Sequence, residues 1–343
     1  MNHEDFKSAA RRHQTNFKIN NDEIKVGEDK FPIRIIRRKD TGKEYPIEVR
    51  SSLRWQDCRD SNGYRIFFSG FRKEITEEVD KIVSSTKGQM VTNLLRSEHI
   101  PYNVFFPMRK DLSGTTLLFN KILGEQRIAE ITNIYIEYNP QGLEDGTSFD
   151  VYVEYLPKNG ANGEKGGIGI EVKYTEKEYT IQRDSKEWKE THNKDGIHLS
   201  ENYRIPSFSS GWFKTEYIDD VKSDDSEKMK NHVVANLYRQ IWRNHILGAS
   251  MLLGRCPKAE DKLTEFTSLT LYPKDNNHFT DVFGKYEDLL TPSGKKTFKY
   301  ITYEELFPLM HECLSKTKIP LLNEWIDYLQ TRYIVTNEDT SSI

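Results

Sequence analysis

The chain has 343 residues, with 50 Lys and Arg against 53 Asp and Glu, a formal net charge of −3 and 12% aromatic residues. That length can bury a large core in one domain or two, and no stretch approaches the roughly 18 apolar residues of a membrane span. The polar start Met1-Asn2-His3-Glu4-Asp5-Phe6-Lys7 lacks an apolar signal segment, so a cytoplasmic protein is expected. Cys58, Cys256 and Cys313 are too scattered for a disulfide framework or a CxxC metal knuckle and are read as reduced thiols. The net charge is no signature of a nucleic-acid binder, so any basic surface has to be local. Residues 1–72 do lean basic, with 16 Lys/Arg against 11 Asp/Glu, including the run Arg34-Ile35-Ile36-Arg37-Arg38-Lys39. The plain alternative for that run is an edge strand protected by charge.

In chain order, residues 1–72 read as a helical start followed by short strands near Ile33–Ile36 and Tyr64–Phe68. A helical pattern follows through Ile75, Val79, Ile82 and Val83, resumes at Met90, Val91, Leu94 and Leu95, and is expected to stop at Pro101. A helix over 111–124 closes at Gly124. Strands are predicted over Ile128–Tyr138, Phe149–Leu156 and Ile168–Tyr174, the last two separated by a turn-rich stretch from Pro157 to Gly167. Residues 177–226 have no clear period and read as a functional or partly mobile loop. The longest helix signal covers about Glu227–Leu253, with Val234, Leu237, Ile241 and Leu252 on one stripe and Gly254 at its end. A strand near Phe266–Tyr272, helices over 302–314 and 320–333 and a disordered polar tail complete the reading. The order predicts a mixed α/β (α+β) fold in which a three-stranded meander is extended by a strand returning through a helix.

Alternation along a strand puts Glu171 and Lys173 on one face and Ile170, Val172 and Tyr174 on the other. A hairpin centred in the turn sets position 150 opposite about 173 and 152 opposite about 171, which brings Asp150 to the same face; a register slip of two preserves this and a slip of one destroys it. Two carboxylates and a lysine at a strand end are the parts for metal-assisted phosphodiester hydrolysis. The acids suit Mg²⁺, a hard ion, and the lysine can orient or help deprotonate a bound water. A Glu-x-Lys pair taken alone is more often a simple surface ion pair.

The whole stretch is more specific: Gly146-Thr147-Ser148-Phe149-Asp150, a glycine-rich turn, then Gly167-Ile168-Gly169-Ile170-Glu171-Val172-Lys173-Tyr174-Thr175-Glu176. Here the chain resembles the PD-(D/E)XK nuclease superfamily, in a bacterial restriction-endonuclease-like branch. The likeness covers roughly residues 85–275 and takes in Ile134-Tyr135-Ile136-Glu137-Tyr138-Asn139-Pro140 and Tyr238-Arg239-Gln240-Ile241-Trp242-Arg243-Asn244-His245. Phe149 stands where the superfamily's name has proline. The resemblance implies a restriction-endonuclease-like core, a central mixed sheet in αβββαβ order flanked by helices. It also implies Asp150 and Glu171 as metal ligands and Lys173 as the catalytic lysine. The expected organisation is a basic extension (1–72), a nuclease-like domain (73–290) and a helical appendage (291–343).

Neighbouring residues extend the candidate site. Glu137 can add a metal-binding carboxylate, or be an ordinary strand-end charge; Glu98 can do so from the helical side. Asn236, Gln240 and Arg243 recur at four and three on the long helix, so Gln240 is a candidate catalytic residue positioning phosphate or water. Arg239 and Arg243 can contact phosphates or be solvated helix charges. His232 and His245 raise a His-Asn-His metal nuclease, which lacks a histidine-bearing hairpin. Trp188, Tyr203, Phe208, Trp212 and Phe213 can stack on bases, or form a satellite core.

The leading expectation is therefore a Mg²⁺-dependent nuclease (Mn²⁺ substituting) acting on DNA, with RNA still open, and restriction or defence is what the resemblance implies. The alternative is a silent nucleic-acid or protein-binding module on the same fold. A Gly-x-x-x-x-Gly-Lys-Ser/Thr motif is absent, so cutting is not coupled to ATP within this sequence, which leaves room for a homodimer or a partner protein that targets the cut.

Overall fold

The computed structural model describes residues 3–22, 24, 32–38, 42–82, 87–161, 163–177, 179–257 and 263–336. The tail expected to be disordered lies outside them from 337 onward, as do Val83 and Lys39.

The central sheet has five strands: β1 (Ile128–Tyr138), β2 (Phe149–Pro157), β3 (Lys165–Val172), β4 (Leu263–Tyr272) and β5 (Phe298–Thr302), in the spatial order β5-β4-β3-β2-β1. The first three form an antiparallel meander, β4 runs parallel to β3, and β5 runs parallel to β4. A parallel neighbour needs a crossover. Helix α4 (Arg239–Leu252) supplies it and packs on β3 and β4. With α3 (Leu112–Leu123) before β1, this is the predicted mixed α/β order.

Both faces of the sheet are covered. Val151, Val153, Ile168, Ile170, Val172 and Leu271 enter a core shared with α1 (His3–Asn20), α2 (Arg72–Val79), α3, α6 (Tyr303–Cys313) and α7 (Leu322–Tyr333). On the other face Phe149, Tyr152 and Phe266 join a core with α4, α5 (Asn277–Leu289) and the chain between β3 and α4. There the rings of Phe149 and Phe266 lie 5.7 Å apart against two glycines. A Cβ on Gly169 would fall 2.3 Å from Phe149, and one on Gly248 of α4 2.0 Å from Phe266. Gly248→Ala is accordingly predicted to lower stability by about 1–3 kcal/mol through overpacking. A denaturant midpoint equal to the parent's would refute that.

Several elements differ from expectation. Tyr64–Phe68 is not a strand beyond Gly63–Tyr64; Ile66, Phe67 and Phe68 are buried in consecutive turns, where apolar content reports burial and not period. Pro101 opens the helix Ile100–Phe105 and does not end one, because a first-turn residue needs no intrahelical donor. β3 begins at Lys165, so the last glycines assigned to the turn lie in the strand. The described residues of 177–226 include helices Lys186–Thr191 and Glu201–Ser209 and a small sheet of His192–Asn193, Gly196–Ile197 and Val221–Lys222.

The long helix is broken into Ser226–Asn231 and α4. At the break His232 is extended; its Nε2 lies 3.1 Å from the Asp219 carbonyl, its Nδ1 accepts from the Val234 amide, and the Val233 amide donates to the Tyr217 carbonyl. These tertiary hydrogen bonds replace the intrahelical ones. Both α5 and β5 went unpredicted, while α6 and α7 fall where the two last helices were expected. All three cysteines are free. Among the described residues no helix is long and apolar enough to cross a membrane.

Candidate active site

Three adjacent strands bring three carboxylates level. In the meander Val151 pairs with Ile170, which sets Asp150 across from Glu171. This is two residues from the predicted register, and the face is preserved because side chains alternate with period two. On the other side Ile136 pairs with Val151 and Tyr138 with Phe149, which sets Glu137 beside Asp150. Glu137 itself has φ 55°, a left-handed conformation that costs a non-glycine residue about 1–3 kcal/mol.

Glu171 and Lys173 are 3% and 4% exposed, so they do not form a surface pair. Lys173 Nζ donates to Glu171 Oε1 over 2.6 Å and also to Gln240 Oε1 on α4. The other Glu171 oxygen accepts from Asn244 Nδ2, one helical turn beyond Gln240. Asp150 is half-buried, and its Oδ2 accepts from the Val172 amide over 2.7 Å. Among the described residues no donor reaches Asp150 Oδ1 or the Glu137 carboxylate.

The electrostatics follow from this crowding. Burial, then repulsion from Glu171 and Glu137, pushes the Asp150 carboxyl well above its usual range, although Lys173 and the Val172 amide pull the other way. Glu137 stands at the exposed rim, yet lost hydration and then Glu171 and Glu98 push it up to about 7. Burial lowers Lys173, but the Glu171 and Asp150 carboxylates outweigh it and hold the ammonium above its ordinary value.

The donor set is hard oxygen crowded around one cation, which is the chemistry of a Mg²⁺ or Mn²⁺ site. Spare lone pairs remain on Asp150 and Glu137, and the buried Asn244 Oδ1 lacks a partner. As arranged, no group of three His, Cys, Asp or Glu among the described residues is set to hold a metal ion. The Lys173–Glu171 and Asn244–Glu171 hydrogen bonds occupy the oxygens that would have to turn toward it.

The other candidates divide. Glu98 is tied to Arg96 and reaches the site only as a charge acting on Glu137. Arg243 does not share the Gln240 face; it is bound between Asp145 (2.8 Å) and Glu187 (3.2 Å), and Arg239 donates to Asn236, so neither guanidinium is a solvated charge. Four residues advance a helix by 40° and three by −60°, which is why Asn244, and not Arg243, completes the pair with Gln240. The Gln-x-x-x-Asn spacing was the available signal for Asn244. His245 is buried against Trp212, Tyr286 and Thr297, and burial lowers it to about 3, while His232 serves the helix break; the histidine-metal reading fails. Tyr203, Trp212 and Phe213 are core residues, and Trp188 and Phe208 pack on His192 and Arg204.

A family model described as the PD-(D/E)XK nuclease superfamily matches residues 2–335, nearly the whole chain. No curated protein and no solved structure matches it.

Proposed function

Starting from the membership of this chain in the PD-(D/E)XK nuclease superfamily, we propose that it is a Mg²⁺-dependent nuclease that hydrolyses DNA phosphodiester bonds in the cytoplasm, in restriction or defence against foreign DNA. The observation that supports this most is the level row Glu137, Asp150, Glu171 with the buried Lys173 beside it. Asp150 and Glu171 would hold the ion and Glu137 would complete its rim. When bound, the ion supplies charge neutralisation at the phosphate and a more acidic water. Lys173 holds the attacking water and, being cationic, stabilises it as it loses its proton. Gln240 fixes the Lys173 ammonium through its carbonyl oxygen, and Asn244 fixes the Glu171 carboxylate.

Supercoiled plasmid and a structured RNA, each incubated with Mg²⁺, Mn²⁺ or a chelator, test the proposal. Metal-dependent nicking of the plasmid is expected, and RNA cleavage alone would reassign the substrate. Failure on both across salt and pH, with tight binding retained, would favour the silent binding module. Gln240→Ala is expected to lower turnover by about 10–100-fold while leaving Mg²⁺ affinity nearly unchanged, the scale on which residues supporting a metal centre act. An unaffected turnover number would remove Gln240 from the machinery.

A further inference from the structure

The strand Ile33–Arg37 pairs antiparallel with Glu44–Glu48 in a ribbon whose residues are all exposed. The register puts Arg34 and Ile36 on one face with Ile47 and Tyr45. Arg34 and Ile47 of that face, together with α1, wall an open cleft of about 810 Å³ lined by Arg11, Arg12, Arg34 and Arg50. The carboxylate in its lining, Glu48, lies 3.1 Å from Arg50. Among the described residues the lining thus holds four arginines and one acid, in a chain whose total charge is −3.

The α1 wall is tied to the chain that leaves β3, through the core on the sheet face opposite Glu171 and Lys173. Gln14 of α1 donates to the Tyr174 hydroxyl over 2.9 Å, and Phe6 meets the same ring edge-on. On the opposite wall the Ser51 carbonyl accepts from the Leu94 amide, and Thr175 Oγ1 donates to the Leu95 carbonyl over 2.9 Å. Both walls therefore reach the chain within two residues of Lys173.

We infer that this cleft grips the sugar-phosphate backbone of a DNA duplex. The inference takes from the proposed function only that the chain handles DNA. Planar guanidinium groups match phosphate oxygens two at a time, and a two-stranded ribbon is narrow enough for a major groove. A second copy of the chain is a poor occupant, because a two-fold contact would set the same arginines against themselves.

The test uses the full chain, a short fluorescent DNA duplex, a chelator to prevent cutting, and a salt series. Arg11 and Arg34 are exposed, so the Arg11→Gln/Arg34→Gln pair leaves the fold intact. It is expected to bind at least about tenfold more weakly and to lower the slope of log affinity against log salt by about two, near one per phosphate contact. The Arg11→Lys/Arg34→Lys pair keeps the charge and should keep the slope. A parent chain that grips DNA through the cleft yet never cuts it when Mg²⁺ is supplied would sink the nuclease proposal and leave this inference standing. An unchanged slope in the glutamine pair overturns it. So does a parent that ignores DNA and binds phosphatidylserine vesicles through these arginines, or a dimer that the glutamine pair dissolves.

Discussion

Glu171→Gln and Asp150→Asn are each expected to cut DNA about three orders of magnitude more slowly than the parent, the upper scale for losing one electrostatic stabiliser of a transition state. Asp150→Asn should fold as the parent does, since it removes one of three mutually repelling carboxylates, whereas Glu171→Gln also takes the counter-charge from the buried Lys173 and should melt somewhat lower. Lys173→Ala should be equally inactive for a different reason and with a different signature. Lys173 is 4% exposed and Glu171 3%, so removing the ammonium strands a buried carboxylate with Asn244 as its remaining donor, at a cost of about 3–5 kcal/mol. Mg²⁺ would replace the missing cation, so the variant should melt low in chelator and recover when the ion is added, with affinity equal to the parent's or higher. A structural ion pair predicts another pattern: low melting for the Glu171 and Lys173 variants, no recovery with metal, and a parent that binds no ion. Melting curves with and without Mg²⁺ on the three variants, beside plasmid nicking, separate the two cases.

Metal affinity should also climb steeply with pH, by up to about tenfold per pH unit for each proton displaced. Asp150 lies well above its ordinary value and Glu137 lies near 7, so both hold protons more tightly in the folded chain than in the unfolded one. Without metal, the folded state therefore binds more protons, and its stability falls as pH rises from the unfolded carboxylate range through about 7. An ion reverses that trend by taking the place of the protons. Calorimetry of Mn²⁺ binding in buffers of different ionisation heat, from about pH 6 to about pH 8, should show proton release that fades toward the alkaline end. Glu137→Gln should flatten the part of the profile near neutrality. Affinity that ignores pH over this range would mean that Asp150 and Glu137 do not meet the ion.

The elements that carry the chemistry were legible because their signals are local. Alternation in Ile168–Tyr174 separates Glu171 and Lys173 from the apolar face whatever the rest of the chain does. The sheet face of Asp150 survived a two-residue error in register because side-chain direction has period two. Strand limits at Ile128–Tyr138 and the helix closing at Gly124 were read from punctuation, and the glycine there indeed has φ 74°. Tertiary structure decided what depends on distant partners. The helix expected to run unbroken to Leu253 yields at His232 because Asp219 and Tyr217 offer its backbone and ring better partners. The aromatic stretch after 177 is ordered because Tyr203, Trp212 and Phe213 find a core on the sheet's second face. Glu137 stands beside Asp150 through the pairing of β1 with β2, at a left-handed backbone angle that no periodicity encodes. Asn244 reaches Glu171, and Arg243 turns away into Asp145 and Glu187, according to how α4 is rotated on β3 and β4, where Gly248 lies close against Phe266.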